Sequence, residues 1–427
     1  MNYSRKSYIL LGDAISLVVS FFVMIALGFP GLDKEEVINL HQGPFIIISI
    51  LWLIVFFVFN LYDQKNLRPT PASIGYLGFA TFLGTMLGAG LFYLFPSFGI
   101  SPKVNLLIFS ASSFFLIIIW RRIFFRIFEK SLVQKIAILG KNQRSQEMIS
   151  ELKNYSYLGK IVGEFETTEA LANFCQKNKV DFIVIVEDIK EDIVKTLNDI
   201  NLPVLRLKDA YEEIFSKTSI DLMTNEDAIS ILEKKDLGRN FLYRILEVLF
   251  SVLILTVTLP ITVLFGIFIF LEDGAPVFYK QDRVGKGGKN FKVIKFRSMT
   301  KNAESAGAMW AEKKDPRVTK VGKVIRKLHV DEIPQMINII KGDIALVGPR
   351  PERPEFVEKL KEEIPYYYIR HAIKPGFTGW AQIKYRYARS VLDSKEKFEY
   401  DLYYLKNKSF LLDLGIIIKT VQIIFTH

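Results

Sequence analysis

The sequence predicts a membrane protein with three parts: an N-terminal bundle of four transmembrane helices, an α/β middle domain and a C-terminal α+β domain. Three observations support this prediction. Four apolar runs open the chain, and each is near the roughly 20 residues that a spanning helix needs. Short apolar segments then alternate with helical patterns. A basic region with glycine-rich turns and a fifth apolar run follows. The predicted boundaries are 1–130, 131–236 and 237–427.

Composition narrows the class of protein. The chain has 427 residues, of which 50% are hydrophobic, and a formal net charge of +11. The basic residues lie beside apolar segments and in glycine-rich turns, which favours lipid headgroups and phosphate ligands over nucleic acid. Cys175 is the one cysteine, so the chain forms no internal disulfide and no zinc site from thiols. We therefore expect a reducing compartment, with Cys175 as a small buried apolar residue.

The four apolar runs predict spanning helices, and their flanks predict the orientation. The runs are Tyr8–Phe29, Phe45–Tyr62, Ser73–Phe95 and Val104–Phe125. The flanks alternate between basic, acidic, basic, sparse and basic, which predicts that both ends of the bundle face the cytoplasm. They carry, in order, Arg5 and Lys6; Asp33, Glu35 and Glu36 with Lys34; Lys65 and Arg68; Lys103; and Arg121, Arg122, Arg126 and Lys130.

The middle segment predicts a small parallel sheet. Strands are expected at Lys135–Leu139, Asp181–Val186 and Leu202–Leu207, with helices at Gln143–Lys153, Thr168–Lys177 and Glu191–Ile200. A dinucleotide-binding turn needs G-x-G-x-x-G, but here Asn142 and Ser145 replace the glycines that should follow Gly140. The domain is therefore interpreted as degenerate and Rossmann-like. A structural or assembly role, another ligand and an NAD-type nucleotide all stay open. Residues Asp221–Asp236 are interpreted as a connector.

The fifth apolar run, Leu242–Leu271, poses a problem of topology. A full crossing would leave the basic remainder of the chain outside. Both flanks are basic, and Pro260 near the middle breaks or kinks a helix. We predict a re-entrant helix–break–helix over 241–271, with the hydroxyl of Thr256 or Thr258 satisfying backbone freed at Pro260. A fifth full span is the alternative. The basic flanks are Arg239 and Arg244 before the run and Lys280, Arg283, Lys286 and Lys289 after it.

Downstream, residues 276–299 predict a strand, a glycine-rich turn and a second strand. Lys295 and Arg297 alternate with Phe296, so they should share one face of the second strand. Two cations on one face suit an anionic ligand, although a solvated face has the same pattern.

The adjacent acids Asp331 and Glu332 are the candidate catalytic residues. Pro334 is tolerated only in the first turn of a helix, so a helix should begin near the acid pair. By local sequence alone, Asp331 is then a helix cap and Glu332 a favourable first-turn acid. His329 is a candidate base, although a lone histidine more often serves packing or a hydrogen bond.

The surroundings of the acid pair indicate chemistry. Arg326 precedes it, and the segment Pro349-Arg350-Pro351 followed by Arg353 lies downstream. A guanidinium between two prolines suits a fixed bidentate contact with phosphate. Acids beside several arginines suggest Mg²⁺ and a pyrophosphate in one site, with Asp331 and Glu332 as metal ligands.

From about Arg239 to the C-terminus, the chain resembles the bacterial polyprenyl-phosphate sugar-1-phosphate transferases of the monotopic phosphoglycosyl transferase superfamily. The resemblance rests on PVFYKQDRVGKGGKNFKVIKFRSM, VDEIPQMINIIKGDIALVGPRPERPEF and KPGFTGWAQIKYRY, in that order. The bundle and the Rossmann-like domain resemble the large members that initiate capsule, O-antigen or exopolysaccharide repeat units. This resemblance implies an enzyme of the bacterial inner membrane with its catalytic domain on the cytoplasmic face, and we expect a homodimer.

The resemblance also implies a covalent route. Asp331 would attack the phosphate attached to the sugar of a UDP-sugar and release UMP, and undecaprenyl phosphate would then take the phosphosugar from the aspartate. Glu332 would bind Mg²⁺ or orient the acceptor. The arginines Arg297, Arg326 and Arg350 would hold phosphates. The C-terminal stretch Phe410–Phe425 would be a helix at the membrane interface or on a partner subunit.

Two departures from the family pattern and two alternative functions remain. Glu247 stands where members often have Asp, and Leu259 stands where many have Ser before the breaking proline. A membrane-anchored nucleotide-sugar dehydratase or epimerase would need an intact glycine fingerprint and a Tyr-x-x-x-Lys pair. A non-enzymatic basic membrane scaffold predicts that neutralising Asp331 changes only helix stability. Glucose, galactose and N-acetylated sugars are all open as the sugar.

Overall fold

The chain forms two compact units, Met1–Leu207 and Lys208–His427, in a computed structural model. The structure describes residues 3–59, 61–62, 70–94, 103–141, 143–154, 159–186, 191–233, 241–301, 303, 315–385 and 390–425. Several positions used in the sequence interpretation lie outside these ranges: Lys65, Arg68, Asn142, Arg239 and residues 386–387.

The first unit opens with the predicted helices, each long and apolar enough to cross a membrane. They are α1 (Tyr3–Gly28), α2 (Lys34–Val58), α3 (Pro71–Leu94) and α4 (Lys103–Leu132). Helix α2 begins earlier than the predicted Phe45, because the side chain of Asp33 accepts a hydrogen bond from the amide of Glu35 at 2.9 Å and caps the helix.

A buried ion pair joins α1 to α4. The carboxylate of Asp13 is fully buried and lies 2.6 Å from Nη2 of Arg121. The same guanidinium donates to the carbonyl of Leu61 at 3.0 Å. Polar groups inside an apolar bundle need such partners, so the pair fixes the register of the two helices.

The α/β part of the first unit is a four-stranded parallel sheet in the order β2-β1-β3-β4. Its elements are β1 (Gln134–Leu139), α5 (Gln143–Asn154), β2 (Gly159–Phe165), α6 (Thr168–Lys177), β3 (Phe182–Ile185), α7 (Glu191–Ile200) and β4 (Val204–Arg206). The sequence did not predict β2. That edge strand carries Lys160 and Glu164 and two glycines, so it lacks the apolar run by which β1 and β3 were recognised.

The segment after β4 differs from the prediction, which grouped residues up to 236 with the middle domain. Helices α8 (Leu207–Phe215) and α9 (Asn225–Glu233) pack with the C-terminal unit. The buried ammonium of Lys217 pairs with Glu396 at 2.7 Å, and the backbone carbonyl of Ser216 accepts from the indole of Trp380 at 2.9 Å. These buried polar contacts attach the segment to the C-terminal unit.

The fifth apolar run forms one helix, α10 (Phe241–Asp273), which continues through Pro260. The expected interruption of helical backbone is therefore absent. The predicted role of the threonine hydroxyls is also corrected. Those of Thr256 and Thr258 bond to the carbonyls of Val252 and Ile254 in the preceding turn, and not to a group freed at Pro260.

Both ends of α10 are bonded to the C-terminal unit. At its start, Arg244 donates to the carbonyl of Ile340 at 2.9 Å, and the buried carboxylate of Glu247 accepts from the amide of Leu346 at 2.9 Å. At its end, the carboxylate of Glu272 accepts from the amides of Lys320 and Val321 at 2.7 and 2.9 Å. Glu247, one of the departures from the family pattern, is thus an anchor of the helix.

After α10, the C-terminal unit continues with the predicted hairpin, β5 (Phe278–Val284) and β6 (Asn290–Phe296), which pair in antiparallel fashion. Gly287 and Gly288 adopt φ of 68° and 77° in its turn, which glycine accommodates without strain. The remaining elements are α11 (Lys320–Lys327), α12 (Gln335–Lys341), β7 (Ala345–Val347), α13 (Pro354–Glu363), β8 (Gly376–Thr378), α14 (Trp380–Lys384), α15 (Val391–Asn407) and α16 (Phe410–Phe425). Helix α16 places Ile416 in the core of this same unit.

Candidate active site

Asp331 and Glu332 lie in a single 3₁₀ turn, Val330–Glu332, between α11 and α12. His329 before the turn is in the left-handed region, with φ of 55°, and reverses the chain after α11. Helix α12 begins at Gln335, with Pro334 as its N-cap residue. The expectation that Asp331 caps the helix is therefore wrong, because the turn and Pro334 displace the helix start toward the C-terminus.

Glu332 is held by two cations that are distant in sequence. Its Oε1 atom lies 2.8 Å from Nζ of Lys295 on β6 and 2.7 Å from Nη2 of Arg350. The side chain of Glu332 is 17% exposed. Burial alone would raise the pKa of Glu332, but the charges of Arg350 and Lys295 hold this pKa well below its usual range. Glu332 is therefore ionised at neutral pH.

Asn338 fixes the distance between the acid turn and β6. Its amide oxygen accepts from the backbone amide of Ile294 at 2.9 Å, and its amide nitrogen donates to the carbonyl of Lys292 at 2.8 Å and to Asp343 at 2.9 Å. Asn338 is 1% exposed. The buried side chain of Asn338 thus bonds to the backbone of β6 on both sides of Val293. These bonds hold α12 against β6 at a position where Lys295 reaches Glu332.

Asp331 contrasts with its neighbour. Within the described residues, its carboxylate has no hydrogen-bond or ion-pair partner. Burial and the adjacent charge of Glu332 raise the pKa of Asp331, while the charges of Lys295 and Arg326 oppose that rise. A carboxylate without such a partner, beside one whose charge is compensated by two cations, is available to act as a nucleophile.

The other predicted phosphate-binding residues separate into two groups. Arg326 lies close enough to influence the charge of Asp331 and is oriented by a hydrogen bond from its Nε to Ser298 at 2.8 Å. Arg297 does not bond to the acids. It caps the end of α10 through the carbonyls of Asp273 and Gly274, at 3.0 and 2.6 Å. Arg353 lies 3.5 Å from Glu355 at the start of α13.

The residues around the acid pair fit Mg²⁺ as a partly protein-bound ion. Within the described part of the chain, no group of three or more His, Cys, Asp or Glu side chains is arranged to hold a metal. Two neighbouring carboxylates, one of them with only Oε1 engaged, match the habit of Mg²⁺ of using one or two carboxylates together with water and substrate phosphates.

The sequence of the C-terminal unit matches a known family. Residues 238–427 match the family model described as bacterial sugar transferase. The chain belongs to this transferase family. The bacterial sugar transferase segment covers the hairpin, the acid turn and the Pro349-Arg350-Pro351 segment, so the site lies within the shared region. The predicted family resemblance is confirmed.

Three named relatives of this bacterial sugar transferase differ in their sugar. The UDP-N-acetylgalactosamine-undecaprenyl-phosphate N-acetylgalactosaminephosphotransferase of Aeromonas hydrophila is 41% identical over 226 residues, 53% of each chain. The UDP-glucose:undecaprenyl-phosphate glucose-1-phosphate transferase of Klebsiella pneumoniae is 34% identical over 273 residues, 62% of this chain and 57% of the relative. The undecaprenyl-phosphate galactose phosphotransferase of Salmonella typhimurium is 35% identical over 199 residues, 43% of this chain and 40% of the relative. The matches thus span about half the length of these relatives.

Sequence reasoning missed Asn338 and the contacts of Glu332. Asn338 was not singled out, and Glu332 was predicted as a catalytic acid and metal ligand but not as the partner of Lys295 and Arg350. Its contacts join residues 37 and 18 positions apart, so no local pattern indicates them.

Proposed function

We propose that this chain transfers a sugar-1-phosphate from a UDP-sugar to undecaprenyl phosphate and so starts a polysaccharide repeat unit on a lipid carrier. One observation carries the proposal: among the described residues, Asp331 has no hydrogen-bond or ion-pair partner, while the charge of the adjacent Glu332 is compensated by Lys295 and Arg350. The family match and the three relatives, all named as undecaprenyl-phosphate sugar phosphotransferases, support it. No feature of the described residues favours a dehydratase or a scaffold over this reaction.

In the first step, an Oδ atom of Asp331 attacks the phosphorus attached to the sugar. The bond from that phosphorus to the oxygen bridging the two phosphates breaks, and UMP leaves with the bridging oxygen. The product is an acyl phosphate between Asp331 and the sugar. A carboxylate nucleophile divides one difficult transfer into two easier steps.

In the second step, a phosphate oxygen of undecaprenyl phosphate attacks the same phosphorus and displaces the carboxylate of Asp331. The product is the undecaprenyl diphosphate sugar, and the enzyme returns to its starting state. Arg350, Lys295 and Arg326 supply positive charge around the transferred phosphate in both steps. Glu332 keeps Lys295 and Arg350 in place. The carboxylate of Asp331 is thereby left without an ion-pair partner among the described residues.

Mg²⁺ is proposed as the cofactor, with the oxygens of Asp331 and Glu332 as its protein ligands. When bound, the ion neutralises charge on the pyrophosphate of the donor. The remaining positions around it would be filled by phosphate oxygens and water, since no third His, Cys, Asp or Glu among the described residues groups with this acid pair.

We also propose that α10 bends at Pro260 without losing its helical backbone, so that it enters one leaflet and returns to the cytoplasmic face. The support is that both ends of this 33-residue helix bond to a single unit, although the helix is long and apolar enough to cross. Such a return would bring the acid turn to the level of the lipid headgroups, where a soluble nucleotide sugar meets a lipid phosphate. A homodimer and the bacterial inner membrane remain expectations from the resemblance.

The test is a reaction without acceptor. The purified chain is incubated with Mg²⁺ and, separately, UDP-glucose, UDP-galactose, UDP-N-acetylglucosamine and UDP-N-acetylgalactosamine. With one of these donors we expect released UMP and a protein mass increase equal to one phosphosugar, which undecaprenyl phosphate then removes. If every donor leaves the mass unchanged and releases no UMP, the proposal is wrong.

A further inference from the structure

We propose that Arg370 and Arg283 are positioning residues, which fix the guanidinium of Arg350 by anchoring the backbone that carries it. The inference rests on the proposed function, because it assigns to Arg350 a contact with the transferred phosphate. Neither arginine contacts Asp331 or Glu332 by a hydrogen bond within the described residues, so both act through the segment Pro349–Glu352.

Each of the four consecutive carbonyls of this segment accepts a hydrogen bond. Two of the donors are backbone amides, those of Gly376 and Val284, which bond to Pro349 and Glu352 at 2.8 and 3.0 Å. The other two donors are guanidinium groups, that of the buried Arg370 and that of the half-buried Arg283. Nη2 of Arg370 donates to the carbonyl of Arg350 at 3.0 Å, and Nη1 of Arg283 donates to that of Pro351 at 3.0 Å.

The segment has little freedom left once these bonds form. Prolines on both sides of Arg350 fix their own φ angles and supply no amide hydrogen. The backbone at the start of β8 also lies very close to the backbone that follows β7. The Cβ of any residue replacing Gly376 would lie 2.0 Å from the amide nitrogen of Gly348. The backbone of Arg350 is therefore restrained by the proline on each side and by the hydrogen bonds that the carbonyls of the segment accept.

The two arginines are themselves held by side-chain partners, which are buried in the case of Arg370. The side chain of Arg370 is 5% exposed, bonds to Asp401 at 2.9 Å and contacts the hydroxyl of Tyr367. Arg283 bonds through Nη2 to the side-chain oxygen of Gln281 at 2.6 Å. Each planar guanidinium donates to a backbone carbonyl and to a side-chain oxygen, and its rigid plane fixes the angle between the two bonds. The ammonium group of lysine lacks this fixed geometry.

Acidic side chains behind the segment compensate part of the positive charge of Arg370 and Arg283. These two arginines therefore compete less with Arg350 for its ligand. Burial would raise the pKa of Glu352, but the charges of Lys397, Arg370 and Arg283 lower it to about 2. Glu352 is therefore ionised in the range of activity and compensates part of the positive charge. Arg350, which together with Lys295 pairs with Glu332 in the acid turn, is held at a distance set by the fold before substrate binds.

We predict that replacing either arginine lowers kcat with little change in KM. We also predict that this loss requires Arg350 to be present. Arg370→Lys and Arg283→Lys keep the charge opposite Asp401 and Glu352 but remove the planar donors. We expect each to lower kcat about 10–100-fold with KM changed less than about threefold. In an Arg350→Ala background, each should change kcat by less than about threefold, because the group they position is gone.

Arg244→Lys is the matched control, since Arg244 also joins a backbone carbonyl, that of Ile340, to a carboxylate, that of Glu247. Its effect should be the same with and without Arg350. If Arg370→Lys destabilises the chain in thermal unfolding, the test rests on Arg283→Lys. The side chains that bond to Arg283 differ from those that bond to Arg370. Equal losses of kcat in both backgrounds, or a rise in KM alone, overturn the positioning role. Such a result leaves UMP release by the wild type, and hence the proposed function, intact.

Discussion

The Nη2 atom of Arg350 lies 2.7 Å from Oε1 of Glu332, and this ion pair separates the roles of two neighbouring acids. Glu332 shares its charge with Arg350 and Lys295, while Asp331 has no such partner within the described residues. The pKa directions agree with the contacts, since the pKa of Glu332 is lowered and that of Asp331 is raised. The contacts therefore distinguish Asp331, the proposed nucleophile, from Glu332, which holds the two cations.

Asp331→Asn should abolish the covalent adduct and lower the rate of UMP release at least about a thousandfold. The same substitution should raise the melting temperature at neutral pH. The pKa of Asp331 is raised in the folded state, so its charged form costs stability above that pKa, and an uncharged amide removes the cost. Intact-mass spectrometry and thermal unfolding measure the two effects. An Asn variant that still forms the adduct would show that Asp331 is not the nucleophile.

Glu332→Gln should lower both stability and turnover. The substitution leaves Lys295 and Arg350 facing each other without a compensating charge, which should reduce the free energy of unfolding by about 1–3 kcal/mol and kcat about a hundredfold. Glu363→Gln is the control, since its exposed carboxylate lies 3.8 Å from Lys359 and should matter little. Urea unfolding compares the two. Equal, small changes in both variants would contradict the role given to Glu332.

Glu399→Gln should remove part of the pH dependence of stability. Burial raises the pKa of Glu399 from its ordinary value of 4.5 to about 7, against the opposing charge of Lys217. Between these values the folded chain keeps a proton that the unfolded chain releases, so the free energy of unfolding falls as the pH rises through this range. The variant should flatten that fall by about 2–3 kcal/mol. Unfolding by urea at pH 5 and pH 8 tests it, and parallel profiles would contradict it.

Gly322→Ala should destabilise the C-terminal unit by about 1–3 kcal/mol, because the added Cβ would lie 2.0 Å from the carbonyl oxygen of Ser298. Gly266→Ala in α10 is the control, since its Cβ meets Val277 at an ordinary 3.7 Å. Because Ser298 also orients Arg326, the first variant should lose activity as well. If both variants unfold at the same temperature as the wild type, the close approach is not required.

Labelling of single cysteines should place both ends of α10 on one face of the membrane. In a Cys175→Ser background, Phe241→Cys and Phe278→Cys lie at exposed positions, 82% and 44% exposed, before and after the apolar run. Leu32→Cys, 58% exposed between α1 and α2, is predicted on the opposite face. In sealed spheroplasts, an impermeant maleimide should label Leu32→Cys and spare the other two. Labelling at one end of α10 alone would indicate a full span.

Features set by local pattern were predicted from the sequence. The four apolar helices, the hairpin of β5 and β6 and the grouping of Lys295, Arg350 and the acid pair follow from hydrophobic runs, glycine turns and charge. Features set by distant contacts were not. The bonds of Arg297 to the carbonyls of Asp273 and Gly274 were not foreseen, while its expected contact with phosphate stays a prediction. The left-handed His329, which delays the start of α12, has no signal in residue type. Pro260 was expected to break a helix that instead continues.

The cap that Glu272 places on α11 links the height of the chemistry to the length of one helix. The eight residues of α11 run from the end of α10 to the acid turn, a rise of about 12 Å. Each inserted residue would lift the turn by about 1.5 Å and rotate it by about 100°. Under the proposed function, helix α11 sets the distance between the apolar helix α10 and Asp331. We propose that this distance, together with the chemistry of the site, selects an acceptor whose phosphate lies at a matching depth in the membrane.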